Sequence, residues 1–335
     1  MKKPKICLLF CGGTIGMVRN PKTGVLEPAR EASDLIRIVP EIQTQLQLDY
    51  KFLVNVDSSN MTPALWTKIA ETIYKFYDSY DGFVIAHGTD TMAYTASALS
   101  YALQGLNKPV VLTGSLIPLN EIGSDGRNNL IYACLSATLD LAEVCIVLSD
   151  KILRGNRAKK YRESFSAFFH SPNFPDLGEL GRPIHLKKWR KKRRNRKLAY
   201  FPKFDSKISL LKLYPGFDPG IIDKVLERGA HGIVLEGFGP GNVPSSGENS
   251  IVSKIEKATD LSIPVVIQSQ MEEGTTNLTS YAAGYLAHKA GAISGGDMTT
   301  EATVSKLMWV LAKTRKLSEI RKWMETDLAG ELSKD

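Results

Sequence analysis

Two short runs of this chain put glycine before threonine at the end of an apolar stretch. Cys11-Gly12-Gly13-Thr14-Ile15-Gly16 follows Ile6 to Phe10, and His87-Gly88-Thr89-Asp90-Thr91 follows Phe83 to Ala86. A threonine alcohol is a weak nucleophile at neutral pH and needs a base beside it. A lysine with a depressed pKa would serve. The segment Arg154-Gly155-Asn156-Arg157-Ala158-Lys159-Lys160 offers two candidates. Asp90 adds a carboxylate, suited to a substrate ammonium or to capping the helix that follows. The chemistry in view is attack by a hydroxyl on an electrophilic carbon.

Two more polar clusters stand at strand ends. Asp57-Ser58-Ser59 follows Phe52–Val56, and Thr113-Gly114-Ser115 follows Val110–Leu112. Either cluster alone reads as a turn or an N-cap. Four of them in one sheet are harder to dismiss as turns. Gly12, Gly13 and Gly16 do not fit the dinucleotide fingerprint, and the chain has no P-loop. Glycines here would let a substrate approach the backbone and let N–H groups face an oxyanion. They would equally suit a turn that needs only positive φ.

The elements around these clusters predict an α/β fold. Ile6–Phe10, Phe83–Ala86, Val110–Leu112 and Val144–Leu148 are short aliphatic runs, as buried parallel strands should be. Helical stretches lie between them over 63–77, 91–104 and 127–141. Thr62-Pro63 opens the first well. In a parallel sheet the C-terminal strand ends face one crevice, where the polar clusters would meet. After Lys151 the pattern weakens, and Pro172, Pro175, Gly178, Gly181 and Pro183 interrupt it. From about Ile208 a second α/β unit begins, with strands at 232–235 and 264–268 and helices at 249–259, 279–289 and 300–314. The expected organisation is a larger N-terminal domain, 1–185, with a mostly parallel sheet flanked by helices. A basic linker, 186–206, and a smaller C-terminal α/β domain, 207–335, follow.

With 335 residues the chain can bury a large core. Its net charge of +8 comes from one place, since nine of the eleven residues Lys187–Lys197 are Lys or Arg. Without them the rest carries a net charge of −1. Trp189 is the one aromatic among them, and no nucleic-acid fold motif accompanies them. The run therefore reads as a self-repelling, solvated linker with weak, non-specific affinity for nucleic acid. The four cysteines, Cys7, Cys11, Cys134 and Cys145, lack ligand spacing and read as reduced thiols of a cytosolic protein. With five scattered histidines, no zinc site is expected. Lys2, Lys3 and Lys5 precede an apolar run too short for a secretion signal, and no run reaches membrane-spanning length.

Taken together, the two threonine motifs, Thr113-Gly114-Ser115, the Arg154–Lys160 stretch, Gly239-Pro240-Gly241-Asn242 and Gly295-Gly296-Asp297-Met298-Thr299 resemble the bacterial-type L-asparaginases. The resemblance covers essentially the whole chain. Asp57-Ser58-Ser59 and the lack of a signal peptide resemble the cytoplasmic type I branch. The resemblance implies hydrolysis of the side-chain amide of L-asparagine without metal or cofactor, by a homodimer or tetramer. It implies Thr14 as primary nucleophile, with Thr89, Asp90 and Lys160 as a second catalytic group. Asp57, Ser58, Ser59 and Asp90 would hold the substrate α-carboxylate and α-ammonium, and Ser115 would meet the side-chain amide through its backbone. Tyr281 resembles a tyrosine that some type I members supply from the C-terminal domain; it reads equally as a helix-face core residue.

Two departures stand out. The stretch Arg19 to Pro28 has no tyrosine where many family members carry one, and Val25 falls near that place. Glu236-Gly237 replaces the Arg-Ser pair with which some type I enzymes bind allosteric asparagine, and glutamate would repel a carboxylate. Two other readings remain. One is the ammonia-releasing, asparaginase-like subunit of the archaeal tRNA-dependent amidotransferase, which usually carries an extra N-terminal domain. The other is a non-catalytic amino-acid sensor on the same fold.

Overall fold

The computed structural model describes residues 2–19, 22–28, 39–162 and 168–333. The chain divides into two compact units, one of Met1–Ser171 and Pro175–Pro202, the other of Pro172–Phe174 and Lys203–Asp335.

The first unit is built on an eight-stranded sheet. Its strands are β1 (Lys5–Gly12), β2 (Gln47–Val56), β3 (Gly82–Ala86), β4 (Val110–Thr113), β5 (Val144–Leu148), β6 (Lys151–Arg154), β7 (Gly178–Glu179) and β8 (His185–Leu186). Their order is β8-β7-β6-β5-β4-β3-β1-β2. The pairs from β2 through β5 are parallel, and those from β5 to β8 are antiparallel. The central strands β3, β4 and β5 are buried along their whole length, as aliphatic strands covered on both faces must be. Edge strand β2 is instead only partly buried and leaves Tyr50 and Phe52 half exposed. Among the described residues, besides a single helical turn at Ile42–Gln45, three longer helices lie between the parallel strands: α1 (Pro63–Lys75), α2 (Met92–Ala102) and α3 (Gly126–Ser136). Thr62 caps α1 through Leu65 N at 3.4 Å, with Pro63 in the first turn, as its sequence reads. Among the described residues no helix is long and apolar enough to cross a membrane.

The sequence expectation differs after Lys151. The chain turns at Ser149, which has φ 56°, and β6 runs back along β5. Strands β7 and β8 then widen the sheet with two residues each, too few to show a period. The basic run is largely exposed, but it is anchored and not a free linker. Residues up to Pro202 group with the first unit. Lys191 accepts from Ala142 N at 2.8 Å through its carbonyl, and its own N–H reaches the Glu143 carboxylate at 2.8 Å. Arg193 donates to the carbonyls of Leu139 and Ala137, and its N–H reaches Asp140 at 2.8 Å. Ala199–Tyr200 pairs with Leu103–Gln104. These anchors join residues far apart in sequence, so periodicity carries no sign of them.

The second unit has a parallel four-stranded sheet in the order β9 (Ile208–Lys212), β10 (Gly232–Gly237), β11 (Val265–Ser269), β12 (Ile293–Ser294). Helices α4 (Gly220–Glu227), α5 (Val252–Asp260), α6 (Ala282–Lys289), α7 (Thr300–Leu311) and α8 (Leu317–Met324) accompany it. Ile233, Leu235, Val265 and Ile267 form its core with Ile222, Ile255 and Ala287. Lys306 of α7 and Glu331 are both fully buried and paired at 2.6 Å. Burial alone would raise the Glu331 carboxyl. The Lys306 ammonium and the N–H groups of Ala329 and Leu328 pull it below its ordinary value instead. Lys306 also donates to the carbonyls of Met324 and Thr326. The pair thus ties α7 to the end of α8 and the C-terminal turn.

Removing one buried charge strands the other, which costs about 3–5 kcal/mol. Glu331→Leu is expected to destabilise the protein by that amount in urea unfolding. Glu331→Leu combined with Lys306→Met should recover a large part of the loss.

Candidate active site

Strand β1 ends in two glycines with φ +95° and +87°, a region that residues with a Cβ rarely enter. A Cβ on Gly13 would lie 2.2 Å from Gly88 N, so the turns after β1 and β3 touch backbone to backbone. A Cβ on Gly88 would lie 2.5 Å from Ser58 Oγ. One on Gly114 would lie 2.4 Å from His87 O and 3.4 Å from the Thr89 methyl. These approaches bring together all four polar clusters expected from the sequence. Thr14 opens a short 3₁₀ turn, Thr14–Gly16, closed by Gly16 N donating to Gly13 O at 2.9 Å, and is half-buried. Thr89, the residue after Gly88, is 7% exposed.

Of the two lysines, Lys160 reaches the cluster. Its Nζ lies 3.1 Å from Thr89 Oγ1 and 2.6 Å from Asp90 Oδ1. Lys160 stands in a two-residue strand, Lys159–Lys160, paired with Phe169–His170. Asp90 therefore serves as an ion-pair partner and not as the cap of α2. Thr91, at the N-cap position of α2, does not cap through its side chain either. Its hydroxyl donates to Ser58 O at 2.7 Å and ties the β2 turn to the β3 turn.

Asp57 accepts from Ser59 Oγ at 2.7 Å and Ser59 N at 2.8 Å. These two bonds hold its carboxyl below the ordinary value, so it is ionised at neutral pH. Asp57 also caps the 3₁₀ turn Ser58–Asn60, the plainer role its sequence allowed. Ser58 is buried. Ser115 is 1% exposed and its hydroxyl donates to Ile117 O at 2.6 Å.

The residues that fix these loops were not singled out by the sequence. Asp125 accepts from Leu116 N and Ile117 N, while Asn129 donates to Gly114 O at 2.9 Å and accepts from Ser149 N. The spacing of four between Asp125 and Asn129 at a helix start was the one available signal, and it is a weak one. Behind the β3 turn, His87 is fully buried. Its Nδ1 lies 2.6 Å from Gly88 O, so Nδ1 carries the proton. Nε2 then accepts from Thr95 Oγ1, which in turn accepts from Trp66 Nε1 at 3.0 Å. Burial pushes the His87 imidazole from 6.5 down to about 4, against the smaller effect of its bond to Gly88 O.

Tyr281 belongs to the second unit, just before α6, and is 61% exposed. It is not the helix-face core residue that one reading allowed. Val25 is exposed in the short hairpin of Met17–Arg19 with Leu26–Pro28, whose Asn20 and Pro21 lie outside the described residues. Glu236 accepts from Thr300 Oγ1 at 2.7 Å, so its carboxylate is committed within the second unit. All four cysteines are buried and unpaired, and burial pushes Cys11 and Cys134 up to about 12. These thiols are not nucleophiles at neutral pH. Among the described residues no group of three or more His, Cys, Asp and Glu side chains is arranged to hold a metal ion.

Comparison with known proteins decides the family. The profile of the asparaginase N-terminal domain matches residues 5–192, and that of the glutaminase/asparaginase C-terminal domain matches residues 207–324. The chain belongs to the asparaginase family. It is 38% identical to L-asparaginase 1 of Escherichia coli K12 over 343 residues, covering all of both chains. The thermostable L-asparaginase from Thermococcus kodakarensis superposes with a TM-score of 0.91 at 35% identity, covering 99% of this chain and 100% of that one. A glutamyl-tRNA(Gln) amidotransferase component from Pyrococcus abyssi is also 38% identical, over 98% of this chain and 77% of its own length.

The His87 shift has a pH consequence. Between pH 6.5 and about 4 the unfolded histidine takes a proton that the folded one refuses. Stability is therefore lost as pH falls through 6.5 and levels off below 4. Urea unfolding of the wild type against His87→Gln should show their stability difference shrinking by about 2 kcal/mol from pH 7.5 to pH 5. A pH-independent difference would place the titration elsewhere.

Proposed function

We propose that this protein is an L-asparaginase, which hydrolyses the side-chain amide of L-asparagine to L-aspartate and ammonia. The observation that carries the reading is the Lys160–Thr89–Asp90 cluster beside the contact of Gly13, before Thr14, with Gly88, before Thr89. In this reading Thr14 Oγ attacks the amide carbon. Backbone N–H groups around Thr89 face the developing oxyanion, where preorganised donors act most strongly. The C–N bond breaks as the amide nitrogen gains a proton and leaves as ammonia. Water then attacks the β-aspartyl ester, releases aspartate and returns the proton to Thr14 Oγ. Thr89 Oγ1 and Lys160 Nζ, 3.1 Å apart, form the path along which that proton moves. Asp90, at 2.6 Å, orients Nζ.

The ionised Asp57 suits the α-ammonium of the substrate. Ser58, Ser59 and Asp90 complete the grip on the α-groups, and Ser115 meets the side-chain amide through its backbone. Tyr281 is assigned as the tyrosine that assists Thr14, since Arg19 to Pro28 supplies none. Self-association is supported by the exposed apolar side chains Tyr281, Tyr285 and Leu286 of the α6 region. The unpaired, buried thiols suit a reducing compartment, the cytoplasm. The kinship with the amidotransferase component supports a second reading, ammonia release for a partner.

Ammonia release from L-asparagine, with L-glutamine in parallel, tests the proposal. Thr14→Ala and Thr89→Val should each lower kcat by at least about a thousandfold, the scale on which triad members act, with the fold retained. A wild type that binds asparagine without turnover would defeat the reading and favour the partner-dependent ammonia source or the sensor.

A further inference from the structure

The basic run has a second property besides its anchorage. Lys188, Arg190, Lys191, Lys192, Arg194 and Arg196 line one groove of about 500 Å³, with Leu106 and Ala142. A volume of this size suits a ligand of nucleotide scale. The chain here is pinned from beneath. Arg190 donates to Asp140 O and pairs with the Asp140 carboxylate at 3.0 Å. Lys191 N and Arg193 N reach Glu143 and Asp140, and Arg154 Nη2 donates to Trp189 O. The carboxylates of Asp140 and Glu143 are thereby engaged with anchoring groups, Glu143 also pairing with Arg154 at 2.6 Å. Lys188, Lys192, Arg194 and Arg196 are exposed and make no hydrogen bond or ion pair among the described residues.

These four cations on a tethered backbone cannot spread apart as they would on a loose linker. Their mutual repulsion is held in place until an anion relieves it. The ligand must place several charges in a small volume. Acidic peptides space their charges more widely than a phosphate chain does. Guanidinium forks also match phosphate oxygens in pairs. We propose that this groove binds a short run of contiguous phosphate groups, as in linear polyphosphate or the triphosphate of a nucleotide.

The groove is separate from the candidate active site. Leu106 and Ala142 precede β4 and β5, whereas Ser115 follows the C-terminal end of β4. A strand of four or five residues puts these ends about 15 Å apart. Phosphate binding here leaves the threonines uncovered.

Titration calorimetry of the full chain with inorganic tripolyphosphate, ATP and AMP tests the proposal. One tripolyphosphate per chain should bind, weakening as salt rises. Lys192→Ser/Arg194→Ser/Arg196→Ser should lose at least tenfold in affinity while ammonia release from asparagine stays unchanged. Arg194→Glu alone should lose affinity in the same sense. Equal affinities for ATP and tripolyphosphate would assign recognition to phosphates alone, and tighter ATP would add the nucleoside. AMP should bind far more weakly than either. Absence of saturable binding, or binding unaffected by the triple variant, would overturn the proposal. So would a single-stranded RNA 20-mer that outcompetes tripolyphosphate, which would assign the groove to nucleic acid.

Discussion

The first unit depends on one steric constraint, the contact of Gly13 with Gly88. No side chain fits between the turns after β1 and β3, because a Cβ on either glycine would overlap the other turn or the Ser58 side chain. Two hydroxyl-bearing residues, Thr14 and Thr89, each one position further on, belong to the two turns that this approach joins. β1 and β3 are adjacent and parallel, so their C-terminal ends arrive at the same level. Everything else at the site is arranged around that pair of turns.

The supporting interactions are polar and buried, and they are satisfied locally. His87 stays neutral inside the sheet because a charged imidazole would lose its hydration there, and its two ring nitrogens both have partners. Asn129 and Asp125 do the same for the loop after β4. Lys160 arrives from a separate two-stranded ribbon that follows β6 in the chain, and meets Asp90 and Thr89 across about 70 residues of chain. A site assembled from four strand ends thus has its loops fixed by hydrogen bonds to backbone groups, which tolerate little displacement.

The basic run shows how anchorage changes the meaning of charge. Eleven residues with nine cations would repel and extend if they were free. Asp140 and Glu143, at the entry to β5, take up the backbone and the arginines beneath it. The remaining cations are left concentrated on one side. The same residues give a spacer or a site according to contacts made some fifty positions away.

The α/β class, the buried strands and the polar clusters at their ends are legible in the residue order alone. Those features are local: aliphatic runs, Thr62-Pro63 before a helix, glycine before threonine. Thr14, Thr89, Asp90 and Asp57 stand out in the same way, because glycine and short hydroxyl residues at a strand end have few uses. Folding chose between Lys159 and Lys160, gave Asp90 an ion pair in place of a cap, and turned Thr91 towards Ser58. It also set 186–202 against the first unit and buried Lys306 with Glu331. Each of these depends on a partner 25 or more positions away, and no spacing along the chain encodes which two residues a fold will bring within 3 Å.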